Sequence, residues 1–447
     1  MIVPETDAPP RIVRPCGCPE GEQQFAGLSR RTLLRRMATA GALGAAITVA
    51  EGFGPTARYA FAATPAAYTG DVLVVLSLRG GFDGLNAIVP IGDPGYAAAR
   101  PSIGIKEGAL IPVGGIFGLH PALLPLKPFW DAGTFGAVHA VGQPSPSRSH
   151  FSAMEELERA APGSSLRSGW LDRTIGLRPA GTVFQAAQVG STQVAPALAG
   201  PNPELSMRTI ESFDLGGAWD DTQRTRWKKA LTAMHAGAPA AVAGPAAAAL
   251  GATSTTASIT AKADQPANGA GYPKDSTLGA ALRDVARLIK QKVGLQVACV
   301  DEGDWDMHAG MGTADKGWMH DHLAELAHSM AAFATDLGSL MNGVTVVTLS
   351  EFGRRVAENG SGGVDHGHGN AVLMLGGGID GGKVHGRWPG LDAASLADGD
   401  LAGTTDYRAV LGEILTQRCN VTSLSEVFPG FTASGTPLGV AVPRTSS

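Results

Sequence analysis

Short segments too apolar to face water on either side, alternating with helical patterns, set the strongest limit on what this chain can fold into. VLVVLSL at 72–78 is the clearest of them, and similar runs recur at 135–141, 184–189, 295–300, 344–349 and 372–375. Strands of this composition are covered on both faces, as they are in parallel sheets. Helical periodicity runs between them at 150–160, 221–235, 278–293, 319–341 and 407–418. The alternation predicts an α/β fold with a mostly parallel central sheet and helices on both faces. The chain of 447 residues is long enough for two or three domains, but one large α/β domain over residues 63–447 accounts for the pattern. Residues 236–271, rich in Ala, Gly, Pro, Ser and Thr, read as a flexible surface insertion within that domain.

The N-terminal segment has a different character. Ser29-Arg30-Arg31-Thr32-Leu33-Leu34 is followed by Arg35-Arg36, a mildly apolar stretch at 37–50, and the small residues of Ala60-Phe61-Ala62. Basic region, short apolar region and cleavage-type residues together form a twin-arginine signal over residues 1–62. The expected partner at this stage is the twin-arginine translocase, and the mature protein is expected in the periplasm or secreted. The apolar stretch is too short to cross a bilayer, and no other approaches the ~20 residues a span needs, so no stable membrane span is expected.

Formal net charge is -5, from 35 Lys and Arg against 40 Asp and Glu. An acidic chain offers no general electrostatic footprint for nucleic acid or for an anionic membrane surface. An anionic ester substrate or polymer would have to be attracted locally, by a metal or a few arginines. Cys16 and Cys18 fall in the signal, which leaves Cys299 and Cys419 as two buried thiols or one disulfide, the thiols being the simpler reading.

Reactive groups in such sheets collect beyond the carboxyl ends of the strands. Asp83 follows the first strand, although Asp-Gly is also ordinary turn chemistry. Asp306 and His308 follow the run at 295–300, and as alternate residues of an extended segment they can face one ion. Glu351 follows 344–349. Asp365, His366 and His368 lie within four residues around Gly367, a set of carboxylate and imidazole groups suited to a divalent cation. Zinc is the first expectation, with manganese, magnesium or calcium as alternatives; a solvated turn explains the same triplet without a metal. Ser149 precedes a helix start, where it is either a plain N-cap or a nucleophile beside the positive end of the helix dipole, with Arg148 or Arg79 to hold an anion. No Gly-x-Ser-x-Gly elbow is present. His320, His322 and His328 read as a solvated helix face, and His120 and His139 as packed histidines.

Taken in order, LSLRGGFDGLN (76–86), LHPAL (119–123), SHF (149–151), WDMH (305–308), SEFGR (350–354), DHGHG (365–369) and FPG (428–430) resemble the bacterial secreted family catalogued as domain of unknown function 1501. That family is in turn distantly similar to the alkaline phosphatase and sulfatase superfamily. The resemblance implies an alkaline-phosphatase-like α/β domain in which metal ions activate a hydroxyl against phosphate or sulfate esters. Carried over residue by residue, it makes Asp83, Asp306, His308, Asp365, His366 and His368 metal ligands and Ser149 the nucleophile. Two departures stand out. The acid–imidazole pair that follows a strand in the superfamily is here Ser350-Glu351, with Asp365-His366 a loop later, so either Glu351 replaces the carboxylate or the loop folds Asp365 back. The sulfatase Cys-or-Ser-x-Pro-x-Arg signature is also missing, because Pro144 stands at its nucleophile position. The expected function is therefore an exported metal-dependent ester hydrolase, phosphatase-like before sulfatase-like; the rival is a non-catalytic secreted binding protein on the same fold.

Overall fold

The computed structural model describes residues 68–178, 181–216, 220–262 and 264–444, so the twin-arginine segment and the cleavage residues lie outside the described residues. The first strand, β1 (Val72–Leu78), shows why the apolar runs are continuous. Its side chains alternate between two cores: Val74, Leu76 and Leu78 pack on one side of the sheet, and Leu73 and Val75 on the other. With a period of two and both faces covered, five of its seven positions are buried and apolar, and only Val72 and Ser77 are partly exposed.

In chain order the remaining strands of this sheet are β2 (Phe135–Gly142), β3 (Ala186–Val189), β4 (Leu205–Met207), β5 (Val297–Glu302), β6 (Val344–Leu349), β7 (Asn370–Gly376), β8 (Val384–His385) and β9 (Thr405–Asp406). Their spatial order is β8-β2-β7-β6-β1-β5-β3-β4, with β9 also paired to β2. Only β7 runs against the others, pairing antiparallel with both β2 and β6. The sheet is thus mostly parallel, with one reversed strand near its middle.

Helices cover both faces. One face receives α5 (Thr277–Lys290) and α6 (Trp318–Leu337), through Leu278, Leu282 and Val285 of the former and Leu323, Met330 and Phe333 of the latter. The opposite face receives α1 (His150–Arg159), α2 (Trp170–Gly176) and α7 (Tyr407–Arg418), through Leu157, Trp170, Val410 and Ile414. Each fully buried side chain of this size contributes roughly 1.5–3 kcal/mol. Cys299 and Cys419 are both buried and unpaired, one in the sheet and one at the end of α7.

The insertion differs from the expected flexible stretch. It contains α4 (Ala240–Thr260), which lies beside α3 (Asp221–His235). Alanine is the strongest helix former, and a composition that resembles a linker is here sufficient for 21 helical residues. Among the described residues no helix is long and apolar enough to cross a membrane.

Candidate metal centre

The strand ends bring the chemistry together. Because β7 is antiparallel, its beginning lies at the same rim of the sheet as the carboxyl ends of β1, β5 and β6. The segment before it is folded back by a local ladder: Gly353 N donates to His368 O at 2.9 Å, Gly367 N to Gly353 O at 2.9 Å, and Arg355 N to Asp365 O at 2.9 Å. This carries His366 to the groups that follow β5. Gly80 and Gly81, just beyond β1, hold φ of +119° and +78°. A Cβ at Gly80 would stand 2.7 Å from Asp306 N, so only glycine lets these two loops approach.

Three imidazoles meet at that rim. His366 Nε2 lies 3.0 Å from His150 Nε2 and 3.0 Å from His308 Nε2. Asp306 Oδ1 is 3.1 Å from the Nε2 atoms of both His366 and His308, and its Oδ2 is 3.6 Å from His150 Nε2. The far nitrogen of each ring has its own partner: His150 Nδ1 meets Glu351 Oε1 at 2.7 Å, His308 Nδ1 meets Asp365 Oδ1 at 2.9 Å, and His366 Nδ1 meets the Arg148 carbonyl at 2.8 Å. An ionised carboxylate and a carbonyl can only accept, so every Nδ1 carries the proton. In the neutral tautomer each Nε2 then presents a bare lone pair; His150, His366 and Asp306 form one group whose ligand atoms lie within 4.8 Å of one another, and His308 Nε2 stands beside it, next to His366 and Asp306. A tetrahedron of ligands around zinc, at 2.0–2.1 Å from the ion, has edges of about 3.3 Å, close to the separations here.

Electrostatics follow the same pattern. Hydrogen bonds to Asp306 and then to Glu351 push the His150 imidazole up to about 9 despite partial burial. Burial works to raise the Asp306 carboxyl, but the bonds from His150, His366 and Arg354 outweigh it and hold the group far below the ordinary carboxylate range. Glu351 is also lowered: burial opposes the shift, while His150 and the Gly80 amide favour it. The His308 contact and Asn359 lower Asp365.

Not every expected ligand joins the cluster. Asp83 is withdrawn from it: Arg100, fully buried, takes Asp83 Oδ1 at 3.0 Å with one arm and Oδ2 with the other, so both oxygens serve an internal ion pair. His368 turns its Nε2 to the Gln143 carbonyl at 2.9 Å, which occupies that nitrogen in packing the loop. Asp365 and Glu351 stand behind His308 and His150, where they fix tautomer and ring orientation as outer partners of metal-bound imidazoles do. Ser149 occupies the N-cap position of α1, but its side chain makes no capping bond. Arg148 is turned to Asp398 and Asp400, at 3.0 and 2.7 Å. Arg79 is bound between Glu158 and Asp301, both at 2.8 Å.

Two residues of the site were not singled out from the sequence. His150 reads there as the first residue of a helix; its signal is the SHF motif, whose histidine follows the highlighted serine. Arg354 is fully buried, and its guanidinium donates to the carbonyls of Gly80, Gly81, Val364 and Trp305 as well as to Asp306 Oδ1 at 2.7 Å. One planar fork thus ties together the loops after β1, β5 and β6 and before β7. Beside the cluster lies a cleft of about 670 Å³, walled in part by His150, Glu351, Arg79, Arg159 and Arg167.

No curated protein matches the chain at a significant level. Residues 131–411 match the family described as protein of unknown function, DUF1501. The converging imidazoles, Asp306 and their outer partners all fall inside that span, whereas β1 and Asp83 precede it. With more than half of its length matched in this way, the chain belongs to the DUF1501 family.

Proposed function

We propose that this protein is an exported metal-dependent hydrolase of phosphate or sulfate esters, with phosphate esters favoured. The observation that carries the reading is the meeting of three Nε2 atoms whose protons are committed to the opposite side of each ring. His150, His308, His366 and Asp306 would hold the cation, and their nitrogen-rich set favours zinc over manganese, magnesium or calcium. A divalent cation at such a place supplies Lewis acidity, lowering the pKa of a nearby hydroxyl and offsetting negative charge that develops on the ester.

The chain's own residues supply the rest. Ser149 is the nucleophile in this reading: it directly precedes a ligand, and its hydroxyl is not committed to capping α1. The first amides of α1 favour an anion, with Arg79 on the adjoining cleft wall. The side chains of His150, His308 and Asp306 are 33%, 43% and 45% exposed, which supports access by substrate. Export rests on the sequence of residues 29–36 alone, and fusing residues 1–62 to a reporter that is active only when exported folded tests it.

A second reading is favoured by one feature. Three imidazoles and a carboxylate could together fill a four-coordinate shell, as in closed structural zinc sites, and a secreted binding protein needs no more. Elemental analysis of protein purified without chelator, joined to an aryl phosphate and aryl sulfate screen, separates the two. Hydrolysis expects stoichiometric metal and turnover that Ser149→Ala abolishes while metal is retained. Metal without turnover transfers the case to the binding protein, and protein with no metal under any loading condition removes the basis of both.

A further inference from the structure

We propose that the exposed face of α3 docks on the surface of an anionic phospholipid bilayer. None of the 15 residues of α3 is buried. Trp227, Leu231 and Met234 are spaced by four and three residues and so form one stripe along the helix. Trp227 is 51% exposed and Met234 74%. α4 lies to one side of this stripe, where Lys228 Nζ reaches Ser254 Oγ of α4 at 3.2 Å about 100° around the helix from Trp227; Leu231 is half-buried, and Trp227 and Met234 remain exposed.

The flanks of the stripe are basic. Arg224 and Lys228 lie on one side of it and Arg226 on the other, whereas Lys229, at about 100° per residue, faces the opposite side of the helix. Arg224 is neutralised by Asp214 and Asp221. Arg226 and Lys229 are exposed, and neither has an ion-pair partner among the described residues. The net charge of -5 for the whole chain conceals this local face. An apolar stripe bearing an indole, bordered by long cationic side chains, suits a helix lying in a membrane interface: the ring sits at headgroup level and the cations reach the phosphates. A second copy of the chain fits less well, because one exposed Trp and one Met fall far short of the roughly 800 Å² per partner that a stable dimer buries. With no spanning helix among the described residues, attachment through α3 is peripheral.

The test is sedimentation of the full chain with vesicles of phosphatidylglycerol and phosphatidylcholine, against phosphatidylcholine alone. Two variants are compared with the unsubstituted protein, the double variant Trp227→Ser with Met234→Ser, and Arg226→Glu. All three side chains are exposed, so circular dichroism should be unchanged. The basic segment at 30–36 is common to all three proteins, and its contribution cancels in the comparison. Either variant is expected to lower partition onto the anionic vesicles about tenfold or more, and raised salt should mimic the charge reversal. The proposal is overturned if both variants partition like the parent, if phosphatidylcholine alone binds equally well, or if the substitutions instead dissolve a dimer seen by sedimentation velocity without lipid.

Discussion

Each imidazole of the cluster is aimed by a different kind of partner, and this sets what a single substitution should do. Glu351 is buried and accepts from both His150 Nδ1 and Gly80 N, so it fixes one imidazole and one loop together. Both bonds end on Oε1, so Glu351→Gln keeps that acceptor and loses the charge. Cation affinity is expected to fall 10–100-fold, the usual effect of changing an outer partner, with little change in fold; competition with a chromogenic chelator measures it. An unchanged affinity would mean that His150 is not a ligand. This scale also shows what the sequence could convey. His308 and His366 stand out because each has an acid within two residues. His150 has its acid, Glu351, 201 positions away, and no local pattern announces that contact. Asp83 erred in the opposite direction: a well-placed acid after a strand was already claimed by Arg100, 17 residues on.

At the scale of elements, the parallel strands and their covering helices were legible because burial on both faces writes itself into composition. The reversal of β7 was not. Its apolar run at 372–375 is the same whichever way the strand points, and direction is decided by the folded-back ladder around Gly353 and Gly367. That ladder resolves the two alternatives left by the sequence: Asp365 and His366 do return to the rim, and Glu351 stays there too, in a supporting position. Arg354 fastens the arrangement, since its buried guanidinium satisfies four carbonyls and one carboxylate from separate loops. Arg354→Met would leave those acceptors unpaired in the interior, and is expected to destabilise the fold by about 3–5 kcal/mol, read as a lower midpoint in urea with an unchanged slope. Arg354→Lys should recover little, because an ammonium cannot span the same directions. A variant that unfolds at the parent midpoint would show that the loops hold themselves.

For the whole molecule, the buried histidines make stability depend on pH with a sign that can be worked out. His120 and His139 are both inaccessible, and burial pushes each imidazole down to about 4 from an ordinary value of 6.5. Between those values the unfolded chain binds protons that the folded protein refuses. Stability from these groups is therefore complete above about pH 6.5 and is lost as the pH falls toward 4. A difference of this size corresponds to roughly 3 kcal/mol for each ring. Glu204 acts oppositely: burial raises it to about 7, so its contribution is present below about 4.5 and fades as the pH rises through 7. The two effects overlap, and a single unfolding curve cannot separate them. His139→Asn can, because an amide can supply both the donor to the Ile88 carbonyl and the acceptor for Ala140 N, yet does not titrate. The variant is expected to be less stable overall, since it loses the ring packed against Phe117 and Trp388. Its unfolding free energy should nevertheless fall less steeply than that of the parent between pH 6.5 and 4. Urea unfolding at a series of pH values measures the two slopes, and parallel curves would place the acid sensitivity of the fold elsewhere than in this imidazole.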